Sequence, residues 1–288
     1  MRTGLVLEGG GMRGLFSAGV MDVMMEHDIR FDGIVGVSAG ATFGCNYKSH
    51  QIGRVLRYNV RFKDDPRYMG LRSLLKTGDL VAAEFSYHTL PNELDVFDFD
   101  TFNSDKAEFH VVCTDALTGE PVYHRIEKAN DEALEWIRAS ASMPLVSRPV
   151  PLDGRFLLDG GISDSIPLRY FQQQGFERNI VILTQPKGFY KKKTKLMPLF
   201  HLFMRRYPAI IRAMSRRHMM YNGELAFLEE QERLGSILLI YPQDIVPIGR
   251  TEQDERKMRR VYAMGREKAE QMLPQIQTFM QTNINTTL

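Results

Sequence analysis

The stretch that decides the fold is Leu5-Val6-Leu7-Glu8-Gly9-Gly10-Gly11-Met12-Arg13-Gly14, in which a short apolar run leads directly into a glycine-rich turn. The apolar residues between Phe16 and Met24 follow with the spacing of an amphipathic helix. A second apolar run, Ile34-Val35-Gly36-Val37, comes after that helix. A strand, a helix and a strand in this order are typical of two parallel strands joined by a crossover helix.

Four more short apolar runs without polar alternation follow, at residues 109–112, 156–158, 180–183 and 237–240. Runs of this length suit strands that are buried on both faces of a sheet. Thr118-Gly119-Glu120-Pro121 has the composition of a hairpin turn leading into residues 122–124, which adds one antiparallel pair. The sequence therefore predicts an α/β protein with a mostly parallel central sheet.

Composition excludes several classes of protein. The chain has 288 residues, of which 43% are hydrophobic and 25% charged, so it can bury a full core and is neither disordered nor fibrous. A net charge of only +2 argues against a protein that coats nucleic acid. Cys45 and Cys113 lack metal-ligand or disulfide spacing, so we expect two reduced core residues and no metal.

Hydropathy indicates a cytoplasmic protein. The apolar run before Glu8 is too short for a signal peptide, and no window reaches 18 uninterrupted apolar residues. Any membrane contact should therefore be peripheral. Residues 252–280 have a charged, helical pattern interrupted by Pro274, which predicts a terminal helix packed on the domain.

One basic segment, residues 187–221, stands out. It contains ten Lys or Arg and no Asp or Glu, interleaved with apolar and aromatic residues. One interpretation is a solvated helical face whose apolar residues belong to the core. The other is a segment that lies on an anionic bilayer, where each Lys or Arg contributes about 1 kcal/mol. No nucleic-acid-binding motif accompanies the charge, so we expect no nucleic-acid partner.

The glycine turn after the first strand permits two functions. Gly9, Gly11 and Gly14 satisfy the dinucleotide-binding fingerprint, in which case Asp28 or Asp32 would have to contact the ribose. Consecutive glycines before a helix also present free backbone N–H groups, which can hold an oxyanion instead.

A nucleophile is indicated one strand later. Gly36-Val37-Ser38-Ala39-Gly40 is a nucleophile-elbow pattern at a strand-to-helix junction, which predicts Ser38 on a tight turn beside the glycine loop. Asp159, in Leu158-Asp159-Gly160-Gly161, follows another apolar run and could act as the base, although Asp-Gly is also a common turn dipeptide.

The chain resembles the patatin-like phospholipase family over roughly residues 4–172. Three motifs carry the resemblance in order: the Gly9–Gly14 loop, the Ser38 elbow and Asp159-Gly160-Gly161. Two further blocks are similar as well, namely residues 114–120 and the small-residue block 139–144 that ends in Pro144. The resemblance implies a three-layer α/β/α fold, with residues 173–288 forming a C-terminal region that completes the sheet and extends as helices.

The resemblance also implies a mechanism. The protein would be a lipid acyl hydrolase without a cofactor, in which Ser38 is the nucleophile and Asp159 the base, and lipid or another ester is the substrate. The oxyanion hole would lie in the loop from Gly9 to Gly14, with Gly10, Gly11 and Met12 as donors and Arg13 supporting the loop. Gly36 and Gly40 shape the elbow, and Gly160 and Gly161 the aspartate turn.

Three points remain open at this stage. Ser165 stands where many relatives carry Asn, and it is expected to cap the following helix. A Ser-His-Asp esterase of soluble esters would need His201 or His218, which alone among the histidines follow Asp159. Both are expected to be surface residues of the basic segment. A dinucleotide-dependent oxidoreductase would leave Ser38 and Asp159 without a role.

Overall fold

A mixed sheet of eight strands forms the centre of the molecule. The computed structural model describes residues 1–281, apart from the side chain of Leu71. The strands are β1 (Arg2–Leu7), β2 (Gly33–Val37), β3 (Glu108–Asp115), β4 (Pro121–Ile126), β5 (Val150–Leu152), β6 (Arg155–Asp159), β7 (Phe176–Ile182) and β8 (Ile237–Ile240). Their order across the sheet is β5-β6-β3-β2-β1-β7-β8, and β4 also pairs with β3.

The strand predictions are confirmed, but strand direction is only partly as expected. β1, β2, β3, β7 and β8 run parallel to one another. The predicted hairpin joins β3 to β4. Two further antiparallel pairs, β3 with β6 and β5 with β6, were not expected. The apolar run 156–158 is therefore not buried on both faces throughout, because Phe156 lies near the outer edge and is exposed.

Ten α-helices surround the sheet within residues 1–281. They are α1 (Leu15–Glu26), α2 (Ala39–Lys48), α3 (Arg54–Phe62), α4 (Leu71–Thr77), α5 (Phe99–Ser104), α6 (Asp131–Ser140), α7 (Leu168–Gln173), α8 (Met197–Phe203), α9 (Pro208–Arg233) and α10 (Glu255–Gln281). A π-helix covers Phe85–Leu94, and short 3₁₀ turns cover Gly11–Gly14 and Gly160–Ile162.

The sheet separates two apolar cores, which makes the fold three-layered. Leu5 and Leu7 of β1 pack into a core that includes residues of α1, α2 and α10. Val6, between them, points to the other face and packs with residues of α7 and α9. Successive side chains of a strand alternate between faces, so a strand covered by helices on both sides must be apolar at every position. The predicted α/β/α class with a helical C-terminal region is confirmed.

The terminal helix α10 packs tightly on α1 at a pair of glycines. A Cβ atom on Gly19 of α1 would lie 2.1 Å from the carbonyl oxygen of Tyr262, and one on Gly265 of α10 would lie 2.0 Å from that of Phe16. Only glycine permits this approach of the two backbones. Tyr262 also donates a hydrogen bond to Asp22 of α1 at 2.5 Å, so the crossing is held by polar contacts as well.

The basic segment 187–221 forms α8 and the first half of α9, and its apolar residues divide between two environments. Phe200 and Met204 are buried with residues from the end of β6. Leu202 and Phe203 are instead 54% and 68% exposed. The segment is therefore neither wholly core nor wholly solvated.

Candidate active site

The ends of two strands meet on one edge of β3. Val37, the last residue of β2, pairs with Val112 of β3, and Asp159, the last residue of β6, pairs with Cys113. β4 pairs with the opposite edge of β3, so β2 and β6 share one edge of β3. β2 runs parallel to β3 and β6 runs antiparallel to it, so the carboxyl ends of β2 and β6 face each other. Ser38 follows β2 directly, so this topology brings Ser38 and Asp159 together.

Ser38 lies on a strained turn between β2 and α2. Its backbone has φ 56° and ψ −122°, a conformation that non-glycine residues rarely adopt. The turn closes because Gly36 and Gly40 are in backbone contact: a Cβ on Gly36 would lie 2.5 Å from the carbonyl of Gly40. The Ser38 amide donates to the Ser140 hydroxyl at 2.9 Å, which in turn donates to the Val112 carbonyl at 2.6 Å. Ser140 thereby ties the turn to β3.

Asp159 is buried and lines the same cavity as Ser38. Its Oδ1 accepts from the Gly161 amide at 2.8 Å, which fixes the carboxylate in the turn. Burial raises the pKa of Asp159, whereas the nearby Ser38 hydroxyl and the positive charge of Arg217 act in the opposite direction. A carboxyl group with a raised pKa is a stronger base than an ordinary aspartate.

The two glycines after Asp159 allow the chain to turn close to β3. A Cβ on Gly160 would lie 2.2 Å from the Val112 carbonyl, and one on Gly161 would lie 3.0 Å from Asp159 Oδ1. The Ser165 hydroxyl donates back to the Gly161 carbonyl at 2.9 Å. The prediction that Ser165 caps the next helix is wrong, because α7 begins only at Leu168 and has no side-chain cap.

The glycine loop passes beside Ser38. A Cβ on Gly9 would lie 2.8 Å from the Ser38 Cβ, so only a glycine leaves room for the serine. Gly11 has φ 58°, in the left-handed region that favours glycine. The Met12 amide donates to the Arg250 carbonyl at 3.0 Å and is therefore occupied. The amides of Gly10 and Gly11 have no hydrogen-bond acceptor within residues 1–281. Of the three expected oxyanion-hole donors, these two are therefore the ones available to a ligand.

Three residues fix the loop from outside. Arg13 donates from its amide and from Nε to the Gly10 carbonyl, at 3.4 and 3.3 Å. Gly14 lies against α2, where a Cβ would come within 3.0 Å of the Phe43 ring. Thr184 donates to the Gly9 carbonyl at 3.1 Å. The loop is thus held on both sides of Gly10.

Glu8 is a buried carboxylate that the sequence analysis did not assign to the site. Its Oε2 accepts from the Thr184 amide and hydroxyl at 2.6 and 3.0 Å. Its Oε1 accepts from the Tyr221 hydroxyl at 2.7 Å. Since Tyr221 lies on α9, Glu8 connects the end of β1 to the C-terminal helices.

Two cavities open on Ser38 from different sides. The smaller, of about 150 Å³, has mostly apolar walls that include Phe43, Leu90 and Ile137. The larger, of about 480 Å³, also contains Asp159 and is bounded by α8 and α9. A molecule bound across Ser38 would therefore have one end in an apolar chamber and the other in a polar one.

Five cationic side chains line the larger cavity: Arg13, Lys191, Lys192, Arg217 and Arg250. Arg217 donates from Nε to the Gly161 carbonyl and from Nη2 to the Ser165 hydroxyl, the latter at 3.3 Å. Burial lowers the pKa of Arg217. Burial, together with the positive charges of Arg217 and Arg250, lowers the pKa of Lys191 to about 7.

The two candidate histidines lie in different places. His201 is exposed on α8, as expected. His218 lines the larger cavity, and its buried Nδ1 has no hydrogen-bond partner among the described residues. The expectation of a surface position is therefore wrong for His218, because α9 turns this residue toward the site. The strand ends nevertheless bring Asp159, and not a histidine, next to Ser38.

The acidic residues that a dinucleotide site would need lie elsewhere. Asp32 precedes β2 and accepts from the Thr3 amide at 2.7 Å, at the start of β1. Asp28 pairs with Arg30 on the surface. Both lie at the edge of the sheet opposite to the glycine loop, so the structure does not bring them to it.

The site residues that sequence analysis missed are Glu8, Ser140 and Arg250, and Lys191 and Arg217 were noted only as part of the basic segment. They come from parts of the chain far apart in sequence. The absence of acidic residues from 187–221 was the one signal that bore on Lys191 and Arg217.

Two features are absent from residues 1–281. No group of three or more His, Cys, Asp or Glu side chains there is arranged to hold a metal ion. None of the described helices is both long and apolar enough to cross a membrane. Cys45 and Cys113 are buried and unpaired.

Comparisons with known proteins identify relatives of the chain. It is 36% identical over 197 residues to the uncharacterized protein YjjU of Escherichia coli. This alignment covers 66% of this chain and 54% of that protein. It is 28% identical over 182 residues to lysophospholipase nte1 of Aspergillus oryzae, covering 60% of this chain and 11% of that protein. An uncharacterized NTE family protein of Mycobacterium bovis, Mb1092c, is 31% identical over 170 residues, covering 58% of this chain and 44% of that protein.

The chain thus aligns with about half or less of the length of each of these relatives. The crystal structure of VipD from Legionella pneumophila aligns with a TM-score of 0.48 and 13% identity, over 95% of this chain and 67% of that one. The model of a domain of unknown function, DUF6363, matches residues 207–281. The model described as patatin-like phospholipase matches residues 5–171, more than half of the chain, and this protein belongs to that family.

Proposed function

We propose that this protein is a serine acyl hydrolase that cleaves carboxylic ester bonds of lipids, with Ser38 as nucleophile and Asp159 as base. The observation that carries the proposal is the convergence of Ser38 and the buried Asp159 at the ends of β2 and β6, where both line the same cavity. Membership of the patatin-like phospholipase family and the similarity to a lysophospholipase of Aspergillus oryzae support the lipid substrate.

The reaction proceeds in two halves. Ser38 Oγ forms a bond to the acyl carbon while its proton passes to Asp159. The bond to the leaving alcohol then breaks, and Asp159 returns the proton to the departing oxygen. In the second half, water attacks the acyl-enzyme, Asp159 accepts its proton, and Ser38 recovers that proton as the fatty acid leaves.

The developing negative charge on the acyl oxygen is stabilised by the amides of Gly10 and Gly11. Both are unoccupied within the described chain and lie in the loop beside Ser38. Losing one such donor typically costs about 3 kcal/mol of transition-state stabilisation. The acyl chain occupies the apolar cavity, which begins at Ser38.

The nucleophile is tested with a fluorophosphonate probe, which labels activated serines. Peptide mapping by mass spectrometry should find the label on Ser38, and Ser38→Ala should remain unlabelled. The same variant should lose hydrolysis of a panel of phospholipid, lysophospholipid and short-chain esters. Label on another serine, or activity that survives Ser38→Ala, would contradict the proposal.

We also propose that the 187–221 segment contacts anionic membranes through α8. The exposed apolar residues Leu199, Leu202 and Phe203 lie on this helix, and exposed basic residues flank it. Apolar residues rimmed by positive charge suit insertion at an anionic bilayer surface. Since Leu196 and Phe200 also line the larger cavity, a membrane bound here would meet the entrance of the site.

Sedimentation with liposomes tests this contact. Binding should increase with phosphatidylglycerol content and decrease with salt, because the attraction is partly electrostatic. Phe203→Ser should weaken it, whereas Leu234→Ser, which removes a similarly exposed apolar residue from the far end of α9, should not. Equal effects of the two substitutions would remove α8 from the contact.

A further inference from the structure

The cations of the larger cavity have no ionic partners. Arg13, Lys191, Lys192, Arg217 and Arg250 all line it, yet none forms a salt bridge with a carboxylate within residues 1–281. Lys192 and Arg250 are exposed, whereas Arg13, Lys191 and Arg217 are partly buried. An unpaired charge that is partly withdrawn from water is costly, so these three cations favour an anionic partner.

The two carboxylates in the same cavity offset only part of this charge, because Glu8 and Asp159 face five cationic side chains. Glu8 also accepts hydrogen bonds from Thr184 and Tyr221. Asp159 accepts a hydrogen bond from the Gly161 amide. The cavity therefore holds an excess of positive charge, and the unpartnered Nδ1 of His218 adds a further polar atom without a partner.

The position of the cations relative to Ser38 indicates which part of a bound ester would meet the excess positive charge. Ser38 lies where the apolar and the cationic cavities meet. If the acyl chain fills the first, the alcohol part of the ester must extend into the second. An anionic group on that alcohol would then meet the free cations.

Resting on the proposed hydrolase function, we propose that Lys191, Arg217 and Arg250 form an anion subsite that binds the phosphate of the leaving alcohol and selects phosphate esters without a cationic head group. Guanidinium and ammonium groups are the usual partners of phosphate in proteins. A quaternary ammonium head group would find no free carboxylate here, since the acids among the described lining residues, Glu8 and Asp159, are both engaged.

All three subsite residues lie outside residues 5–171, the part matched by the patatin-like model. Arg217 and Arg250 fall within residues 207–281, matched by the domain of unknown function. The C-terminal region thereby determines substrate specificity, in addition to its packing on the sheet. Its carbonyl at Arg250 also holds the Met12 amide of the glycine loop.

The test compares three substrates that carry the same octanoyl chain: lysophosphatidate, lysophosphatidylcholine and monoacylglycerol. They are kept below their aggregation concentrations, so that membrane binding does not contribute. The wild-type kcat/KM should be highest for lysophosphatidate, and the preference over monoacylglycerol should decrease with salt.

Variants assign the preference to residues. Lys191→Gln and Arg250→Gln should each reduce the ratio of kcat/KM for lysophosphatidate to that for monoacylglycerol by about tenfold, as expected for one charge-assisted hydrogen bond. Arg250→Gln keeps the backbone carbonyl that accepts from the Met12 amide, so the glycine loop should remain folded. Lys193→Gln is the matched control: it removes the same charge from an exposed neighbour and should leave the ratio unchanged.

A second measurement separates a head-group site from a site for free anions. Glycerol 3-phosphate should compete with monoacylglycerol in the wild type and bind Ser38→Ala in calorimetry, and both effects should weaken in Lys191→Gln. Inhibition by inorganic phosphate without a preference for lysophosphatidate would overturn the head-group assignment. Equal kcat/KM for all three substrates would overturn the subsite while leaving ester hydrolysis by Ser38 in place. Loss of the proposed function would instead appear as an unlabelled Ser38, and the calorimetric comparison would still decide the subsite.

Discussion

Replacing Gly265 by alanine tests whether the α1–α10 crossing depends on its two glycines. The new Cβ would lie 2.0 Å from the carbonyl oxygen of Phe16, so the helices would have to separate by more than 1 Å to reach ordinary contact. The obstacle is backbone, which cannot rotate away as a side chain can. Such overpacking typically costs about 1–3 kcal/mol.

The separation would also weaken polar contacts across the crossing. Tyr262 donates to Asp22 at 2.5 Å, and Arg266 forms two bonds to Glu26 at 2.8 Å each. The partly exposed ion pair adds less than about 1 kcal/mol. We therefore expect Gly265→Ala to lower the free energy of unfolding by about 1–4 kcal/mol, and the melting temperature by about 2–7 °C for a chain of this size.

The matched control is Gly223→Ala in the middle of α9, where a Cβ meets nothing within 4 Å. That substitution should raise stability by about 0.5–1 kcal/mol, because alanine favours a helix over glycine. Urea titration followed by circular dichroism, with thermal melts, measures both variants. A Gly265→Ala melting temperature within 1–2 °C of the wild type, or shifts of the same sign in the two variants, would refute the glycine-crossing argument.

Three further predictions concern the site. Because burial raises the pKa of Asp159, the midpoint of the acidic limb of kcat/KM against pH should lie above the ordinary aspartate pKa of about 3.9. Activity should increase with pH along this limb as the carboxyl group loses its proton. A midpoint at or below about 3.9 would be incompatible with Asp159 as a buried base. Asp159→Asn should reduce kcat by about 10⁴-fold or more, whereas His218→Gln should retain most of the activity on neutral esters. A larger loss of activity in His218→Gln than in Asp159→Asn would instead indicate a histidine triad. Gly10→Ala places a Cβ 2.8 Å from the Thr184 hydroxyl, which should displace the loop and reduce kcat by about 100-fold. Adding Thr184→Ala to this variant should restore part of the lost activity. A double variant no more active than Gly10→Ala would show that the methyl group acts elsewhere.

Local patterns were sufficient to predict the first strand, its glycine loop and the helix that follows. Each step depends on residues close together in sequence: an apolar run, glycines that permit a tight turn, and helical spacing between Phe16 and Met24. The Ser38 turn was predictable for the same reason, since Gly36 and Gly40 lie two positions away on each side. The catalytic roles of Ser38 and Asp159 remain predictions.

The direction of β6 could not be predicted in this way. An apolar run such as 156–158 has the same composition whether its strand is parallel or antiparallel to its neighbour. The direction follows from pairing with β3, more than 40 residues earlier, and from the short strand β5, in which Pro151 obscures the strand pattern. This pairing, and not the local sequence, places Asp159 opposite the end of β2.

The cationic side of the site was beyond local sequence reasoning for a related reason. Lys191, Arg217 and Arg250 are separated by 26 and 33 positions, and they converge only because α9 and the segment before α10 pack over the end of β1. Ten basic residues in 187–221 have similar local surroundings in sequence. Only the three-dimensional packing distinguishes Lys191, which faces the cavity, from Lys193, which is exposed.

The position of β1 in the centre of the sheet has a consequence for folding during synthesis. β1 pairs with β2 on one edge and with β7 on the other, and β7 begins at Phe176. At a translation rate of about 5–20 residues per second, the second edge of β1 waits roughly 10–30 s for its partner. Throughout that interval the nascent chain presents an unpaired, apolar strand edge, which is a template for aggregation. A recombinant chain that stopped at residue 171, where the family match ends, would keep that edge open permanently and lose the packing of α10 on α1, so we expect it to aggregate on expression.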